Sequence, residues 1–306
     1  VRCVALAVGL VGCGRIHFDA LPVAGDATGD ASADGASADV AMVRCNPAAP
    51  FTSITPITDV NIAGAYDSTF TPRRDELTAY FYSDRSGNYE LYIATRPDLV
   101  TPWTVAQLTD LADPGTDKEP SPSSDGTVLL WVSTRAPATA PDDIFYATGG
   151  AASWTVGGIA TALSVSGADK LHPFFQNDSN DVWFASNSSG VYSIYHSTWQ
   201  GGGSFAAPTE VPELDASGFT TDCAIVDASG LVMYFRSNRP GGPGGIDIFL
   251  ATRPTTADAW VVSGAVTELD TPQLDTPNWI SPDLCRLYMS SSRTDTSDIY
   301  VATRTP

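Results

Sequence analysis

Ser237-Asn238-Arg239, followed after a short loop by Asp247-Ile248-Phe249-Leu250-Ala251-Thr252, returns in near copies at intervals of about fifty residues. Each copy is an apolar strand ending in Ser-x-Arg or a variant of it, a turn, and a second strand reading acidic, Ile or Leu, aromatic, any residue, Ala, Thr. The others are Ser83-Asp84-Arg85 with Glu90-Leu91-Tyr92-Ile93-Ala94-Thr95, and Ser133-Thr134-Arg135 with Asp143-Ile144-Phe145-Tyr146-Ala147-Thr148. A worn copy pairs Ser186-Asn187-Ser188 with Ser193-Ile194-Tyr195-His196-Ser197-Thr198, and the last pairs Ser291-Ser292-Arg293 with Asp298-Ile299-Tyr300-Val301-Ala302-Thr303. A repeated unit of this size is too small to bury its own faces, so it is stable only when stacked on its neighbours.

Turn signals at Asp125-Gly126, Ser229-Gly230 and Asp283-Leu284 divide two strands, a and b, ahead of the strand c that carries Ala-Thr. Trp103, Trp154, Phe205 and Trp260 each open a fourth strand, d. Four antiparallel strands make a propeller blade. Strand b is apolar almost without alternation, as in Val128-Leu129-Leu130-Trp131-Val132 and Leu231-Val232-Met233-Tyr234-Phe235, which suits a sheet covered on both faces by neighbouring blades. Residues 51–58 read as a strand d with no a, b or c before them, while the last unit lacks a d of its own. The expectation is an all-β, five-bladed β-propeller of four-stranded antiparallel blades, closed by the N-terminal strand completing the last blade.

Ser281-Pro282-Asp283 before Leu287-Tyr288-Met289-Ser290, and Tyr82-Ser83-Asp84-Arg85-Ser86-Gly87-Asn88 before Leu91-Tyr92, resemble the TolB-type, WD-like propeller repeat, over residues 51–306. That family serves as periplasmic scaffolds, as peptidoglycan-linked partners and as domains appended to peptidases, so the resemblance implies a fold and leaves the function wide.

The first residues resemble a bacterial lipoprotein signal, with Arg2, an apolar stretch over residues 4–11, and Leu10-Val11-Gly12-Cys13. On this reading residues 1–12 are a signal peptide, and the resemblance implies that Cys13 becomes an acylated N-terminus held by more than one chain. No other apolar run approaches the length that spans a bilayer. Residues 13–45 form a tether, since Asp, Ala, Gly and Ser dominate it and cannot bury enough surface to offset chain entropy. Some thirty such residues reach roughly 30 Å. Residues 46–306 are the propeller. Gly14 after the cysteine points, by analogy with enteric sorting, to the outer membrane.

Acidic residues number 35 against 16 basic ones, a formal charge of -19, which argues against nucleic acid and against adhesion to anionic headgroups. The expected partners are a membrane reached only through the lipid anchor, and an envelope protein or glycan, with the chain monomeric. Of five cysteines, Cys3 leaves with the signal and Cys13 carries lipid. In an antiparallel blade strands b and d start at the same end, which brings Cys285 close to Cys45 and predicts a disulfide, leaving Cys223 as a buried free thiol.

No catalytic or metal motif is present: His17, His172 and His196 are scattered, and no Gly-x-Ser-x-Gly elbow occurs. Asn177-Asp178-Ser179-Asn180-Asp181 lacks the Gly and terminal Glu of a calcium loop and reads as a hairpin tip. Pro240-Gly241-Gly242-Pro243-Gly244-Gly245 reads as a wide b–c connection. Strand a begins and strand b ends at one rim, so Asp67 should meet Arg85, Asp117 should meet Arg135 and Asp275 should meet Arg293, with Asp222 and Arg239 one residue out of register. These eight residues are expected to form a structural ring of charge-assisted hydrogen bonds. Blade three changes both partners, with Lys170 for Asp and Ser188 for Arg. Lys170, His172, Asn187 and Ser188 are therefore the candidate site for an anionic or polar ligand. The competing reading is a five-bladed glycoside hydrolase using Asp67, Asp117, Asp222 or Asp275 at the channel mouth. A catalytic acid is needed once, whereas these carboxylates recur blade by blade, which favours a binding or scaffolding module without cofactor.

Metabolic labelling with palmitate is expected to mark the wild-type chain and not Cys13→Ser; equal labelling of both would refute acylation at this position.

Overall fold

Residues 44–138, 140–163 and 167–306 are described by the computed structural model and fall in one compact unit. Cys13, the proposed signal peptide and all but the last two residues of the tether lie outside the described residues. Strand β1 (Ser53–Pro56) precedes four blades that run in chain order. The first holds β2 (Asp67–Pro72), β3 (Thr78–Ser83), β4 (Glu90–Thr95) and β5 (Thr104–Gln107). The second holds β6 (Asp117–Pro122), β7 (Val128–Ser133), β8 (Asp143–Gly150) and β9 (Ser153–Ile159). In the third, β10 (Lys170–Phe175), β11 (Asp181–Ser186) and β12 (Ser193–Gly201) are followed by an outer strand broken into β13 (Ser204–Phe205) and β14 (Thr209–Glu210). The fourth holds β15 (Thr221–Val226), β16 (Val232–Ser237), β17 (Asp247–Thr252) and β18 (Val261–Ala265). The fifth is β19 (Asp275–Ile280), β20 (Arg286–Thr294) and β21 (Thr296–Thr303), with β1 as its outer strand.

The inner strands β2, β6, β10, β15 and β19 pack each against the next and β19 against β2, so the blades close into a five-membered ring. Every residue of β7 is buried, as the unbroken apolar run requires of a strand sandwiched between blades. The a–b turns use a left-handed residue, Gly126 at φ 70°, Gly230 at φ 71° and Leu284 at φ 62°. Glycine adopts that conformation without steric cost, whereas Leu284 does so under constraint from its neighbours.

Each inner strand carries a register shift about midway, and four place a non-glycine residue there in the left-handed region: Thr69, Glu119, His172 and Cys223. Such bulges bend the strand and free backbone groups to bond outside their own sheet. Backbone and side-chain groups at and beside the bulges knit adjacent blades. Thr69 N donates to Ser290 Oγ, Thr71 Oγ1 to Pro120 O, His172 N to Glu119 Oε2, and Cys223 Sγ to Pro277 O.

Closure of blade five is reinforced three ways. β1 pairs antiparallel with β21, Ser53 opposite Thr303 and Pro56 opposite Tyr300. Cys45 is disulfide-bonded to Cys285 across a sequence separation of 240, with Cα atoms 5.2 Å apart. The Arg304 guanidinium donates to the carbonyls of Pro47 and Ala49, each at 2.8 Å, and lies over the Phe51 ring at 4.0 Å. Cys223 is free and buried, and burial pushes its thiol well above the ordinary range, so it is chemically quiet.

A covalent loop of this length removes much of the unfolded chain's freedom. The Cys45→Ala, Cys285→Ala pair is expected to lose about 3–5 kcal/mol in chemical denaturation, with fraying first at the 44–56 segment. Hydrogen exchange at β1 no faster than in the parent would contradict this role.

Candidate functional site

Charge-assisted bonds on the rim where the inner strands begin, here the upper face, follow one repeated plan. In Ser-x-Arg the serine Oγ accepts from the arginine Nε, at 2.9 Å for Arg85 and Arg135, 3.0 Å for Arg239 and 2.8 Å for Arg293. The guanidinium then donates to a carbonyl in the preceding d–a connection: Val60, Leu111, Leu214 or Leu269. It also packs on aromatic rings of strands b and c, as Arg239 does on Phe235 and Phe249. In three blades it also grips the first carboxylate of strand a, Arg85 with Asp67 at 2.5 Å, Arg135 with Asp117 at 2.6 Å and Arg293 with Asp275 at 3.0 Å. One residue thus fastens three elements of its blade.

Two readings of the sequence are corrected. Arg239 does not hold Asp222; it donates to Thr221 Oγ1 at 2.8 Å, because Thr221 occupies the register position that Asp67 holds in blade one. Asp222, one residue on, faces Arg236 directly across the ladder and binds it through two bonds of 2.6 and 2.9 Å. The four candidate ligand residues of blade three also do not converge. Lys170 is fully buried and reaches Asp143 of blade two at 2.8 Å, so its charge is consumed at the blade interface. Asn187 bonds Asp169, and Ser188 bonds the Tyr195 hydroxyl. The paired change of Asp to Lys and Arg to Ser replaces an ion pair within the blade by one between blades.

His172 lies apart from them, on the propeller axis. Its Nε2 is 3.0 Å from Arg236 Nη2, and an arginine can only donate, so Nε2 accepts and the proton sits on Nδ1, 3.3 Å from Glu119 Oε1. Arg236 also reaches Thr276 Oγ1 at 3.2 Å, so Glu119, His172, Arg236, Asp222 and Thr276 form one polar chain across four blades. Burial holds His172 below its ordinary pKa and therefore neutral at pH 7. Below it the axis is filled, the residual cavity among Thr69, His172, Cys223 and Asn278 being only about 10 Å³, room for no more than about one water. The axis is a plug.

Above the plug the mouth holds side chains of which sequence reasoning singled out only Asn187. Lys118 Nζ lies 3.2 Å from Asp142, and Tyr192 and Asn187 bond Asp169 at 3.4 and 3.2 Å. Burial raises Asp142 above the ordinary carboxylate range, opposed by Lys118, and burial beside Asp169 pushes Tyr192 up to about 12. Tyr66, Tyr82 and Tyr89 cluster with centroids 5.5–6.0 Å apart at the blade-one side. Asp142 and Asp169 lie in loops outside the repeated phrase, so periodicity carried no signal for them. Among the described residues no group of three or more His, Cys, Asp or Glu side chains is gathered to hold a metal ion.

No family model matches the chain, and no curated protein matches it. Solved structures do. A thermostable family-43 glycoside hydrolase superposes with a TM-score of 0.54 at 15% identity, over 80% of this chain and 96% of that one. A glycosyl hydrolase from Bacteroides ovatus gives 0.50 at 13% identity, over 83% and 91%. TolB from Acinetobacter baumannii gives 0.49 at 17% identity and covers 78% of this chain, which spans 54% of that longer protein. At such identities the likeness is one of fold: the chain is a five-bladed β-propeller.

Because folded His172 is neutral while the unfolded chain's histidine takes up a proton below about pH 6.5, the unfolded state binds more protons there and stability falls as pH drops. His172→Gln is expected to flatten denaturation midpoints between about pH 6.5 and 5, by roughly 1 kcal/mol at the acid end; unchanged steepness would contradict the assignment.

Proposed function

We propose that this chain is a lipid-anchored propeller of the bacterial cell envelope, probing a partner with its upper mouth as a binding or scaffolding module and not as a hydrolase. One observation carries the choice. Each carboxylate that the glycosidase reading needs is sealed, Asp67, Asp117 and Asp275 being 0% exposed and Asp222 3%, and each is hydrogen-bonded to an arginine. A glycosidic acid must touch substrate and hold a proton to donate. Burial does raise the Asp117 carboxyl, against the pull of Arg135, but Trp131 Nε1 at 3.0 Å and Arg135 at 2.6 Å enclose it.

The mouth suits recognition instead. Tyrosines supply rigid, amphipathic contact area at low entropic cost. Asp142, Asp169 and Asp84 lie near Lys118 and the tyrosine cluster, favouring a partner that offers donors or positive charge. Arg85 holds the d–a connection that carries Tyr66, while blade three, which carries Asp169 and Tyr192, has Ser188 in place of that clamp.

The soluble domain is expected to capture the same envelope component before and after washing at low salt, with Tyr89→Ala combined with Asp142→Asn weakening capture at least about tenfold, some 1.4 kcal/mol, at unchanged denaturation midpoint. Release of sugar from aryl arabinofuranosides or xylosides, abolished by Asp142→Asn, would establish the hydrolase instead.

A further inference from the structure

On the opposite, lower face, where the a–b turns lie, a second repeated arginine fills the gap between strands c and d. Arg96, Arg253 and Arg304 directly follow the Ala-Thr of β4, β17 and β21. Each donates Nε to its own a–b turn, to Glu76 O at 2.8 Å, Gly230 O at 2.7 Å and Leu284 O at 2.8 Å. Each also lies over the aromatic ring that opens the outer strand, Trp103 at 4.1 Å, Trp260 at 4.2 Å and Phe51 at 4.0 Å.

Two adjacent blades lack this arginine. Gly149 takes its place in blade two and Trp199 in blade three. At that junction the surface opens into a groove of about 300 Å³ lined by Ser124, Asp125, Thr127, Asp178, Asn180 and the partly exposed Trp199.

Its parts are held in place. The Trp199 indole meets Phe205 edge-on at 4.9 Å and Tyr146 at 5.8 Å. Tyr146 is itself seated against Gly157 and Gly203, where a Cβ would come within 2.1 Å of its ring or hydroxyl. Asp125 is fixed by Ser123 Oγ at 2.7 Å and by the Thr127 N–H at 3.0 Å. Asp178 is fixed by Arg74 at 2.7 Å and donates its own N–H to Ser124 Oγ at 2.7 Å, which leaves that hydroxyl's proton free for a ligand.

We infer that this groove binds a neutral pyranose unit of a glycan, its C–H face laid on Trp199 and its hydroxyls donating to Asp125 and Asp178. An amphipathic ring beside fixed acceptors matches a ligand with one apolar face and a hydroxylated edge. Arg74 neutralises Asp178, whereas Asp125 stands in no ion pair among the described residues, and its charge disfavours uronic and other anionic sugars by like-charge repulsion. The site lies on the other face from the mouth, so it stands whether or not the mouth binds the proposed partner.

Calorimetric titration of the soluble domain with maltotetraose, xylotetraose and chitotetraose is the test. At least one is expected to bind below about 1 mM, and Trp199→Arg, which puts back the residue of the other blades, should abolish it. Thr127→Val with Ser124→Ala provides a milder pair, expected to weaken binding about tenfold while the fold is untouched. Ser86→Ala, in the exposed b–c loop of blade one on the other face, should leave the sugar titration unchanged. Absence of binding by all three sugars up to about 10 mM, or binding that survives Trp199→Arg, overturns the assignment. Binding only of a charged amine such as spermidine, lost in salt, would overturn it too and mark the groove as a cation site.

Discussion

A propeller holds together only if its last blade meets its first, and here a strand pairing, a disulfide and an arginine clamp all act on the closing segment. β1 supplies the outer strand of blade five, a disulfide fixes its approach, and Arg304 gathers the carbonyls of residues just after Cys45. The inner strands depend on that closure. Their left-handed bulges at Thr69, Glu119, His172 and Cys223 are unfavourable for residues with a Cβ and persist because neighbouring blades bond the groups they expose. Ring and bulge support one another: an open ring would leave those groups unpaired, and straight strands would leave the ring without its central bonds.

Two arginine clamps, one on each face, then rigidify the individual blades. The upper clamp ties strand b to the d–a connection, and the lower one ties strand c to the a–b turn. A third device is acidic. Asp59, Asp110, Glu213 and Glu268 each accept the backbone N–H of the residue that opens a neighbouring outer strand, namely Trp103, Trp154, Trp260 and Phe51. Much of the chain's negative charge is therefore architectural, and the formal charge says less about ligands than its size suggests.

Departures from the repeat reshape both faces. Where blade three replaces the upper ion pair, the result is a buried Lys170 and Asp143 contact that serves packing. Where blades two and three drop the lower arginine, a groove opens and an indole lines it. A lost arginine has two outcomes: on the upper rim Ser188 bonds the Tyr195 hydroxyl and Lys170 turns to Asp143 of blade two, whereas the lower gap is left to solvent.

The sequence by itself determined the blade count, the strand order and the closing strand, because unbroken apolar runs, glycine turns and a recurring Ser-x-Arg are local signals that survive without knowledge of neighbours. It also carried the approach of Cys45 to Cys285, since strand ends in an antiparallel sheet are fixed by topology. Register in the sequence paired Asp67 with Arg85, Asp117 with Arg135 and Asp275 with Arg293, while tertiary structure alone gave Asp222 and Lys170 their partners. Asp222 faces Arg236 and not Arg239 through a one-residue register difference, which turns a side chain to the other face of the sheet. His172, close in sequence to Lys170, points to the axis because a bulge intervenes, and the mouth residues Asp142, Asp169 and Tyr192 come from loops of different lengths that no periodicity describes. Backbone pattern is a property of each repeat, whereas a site is a property of the space between repeats.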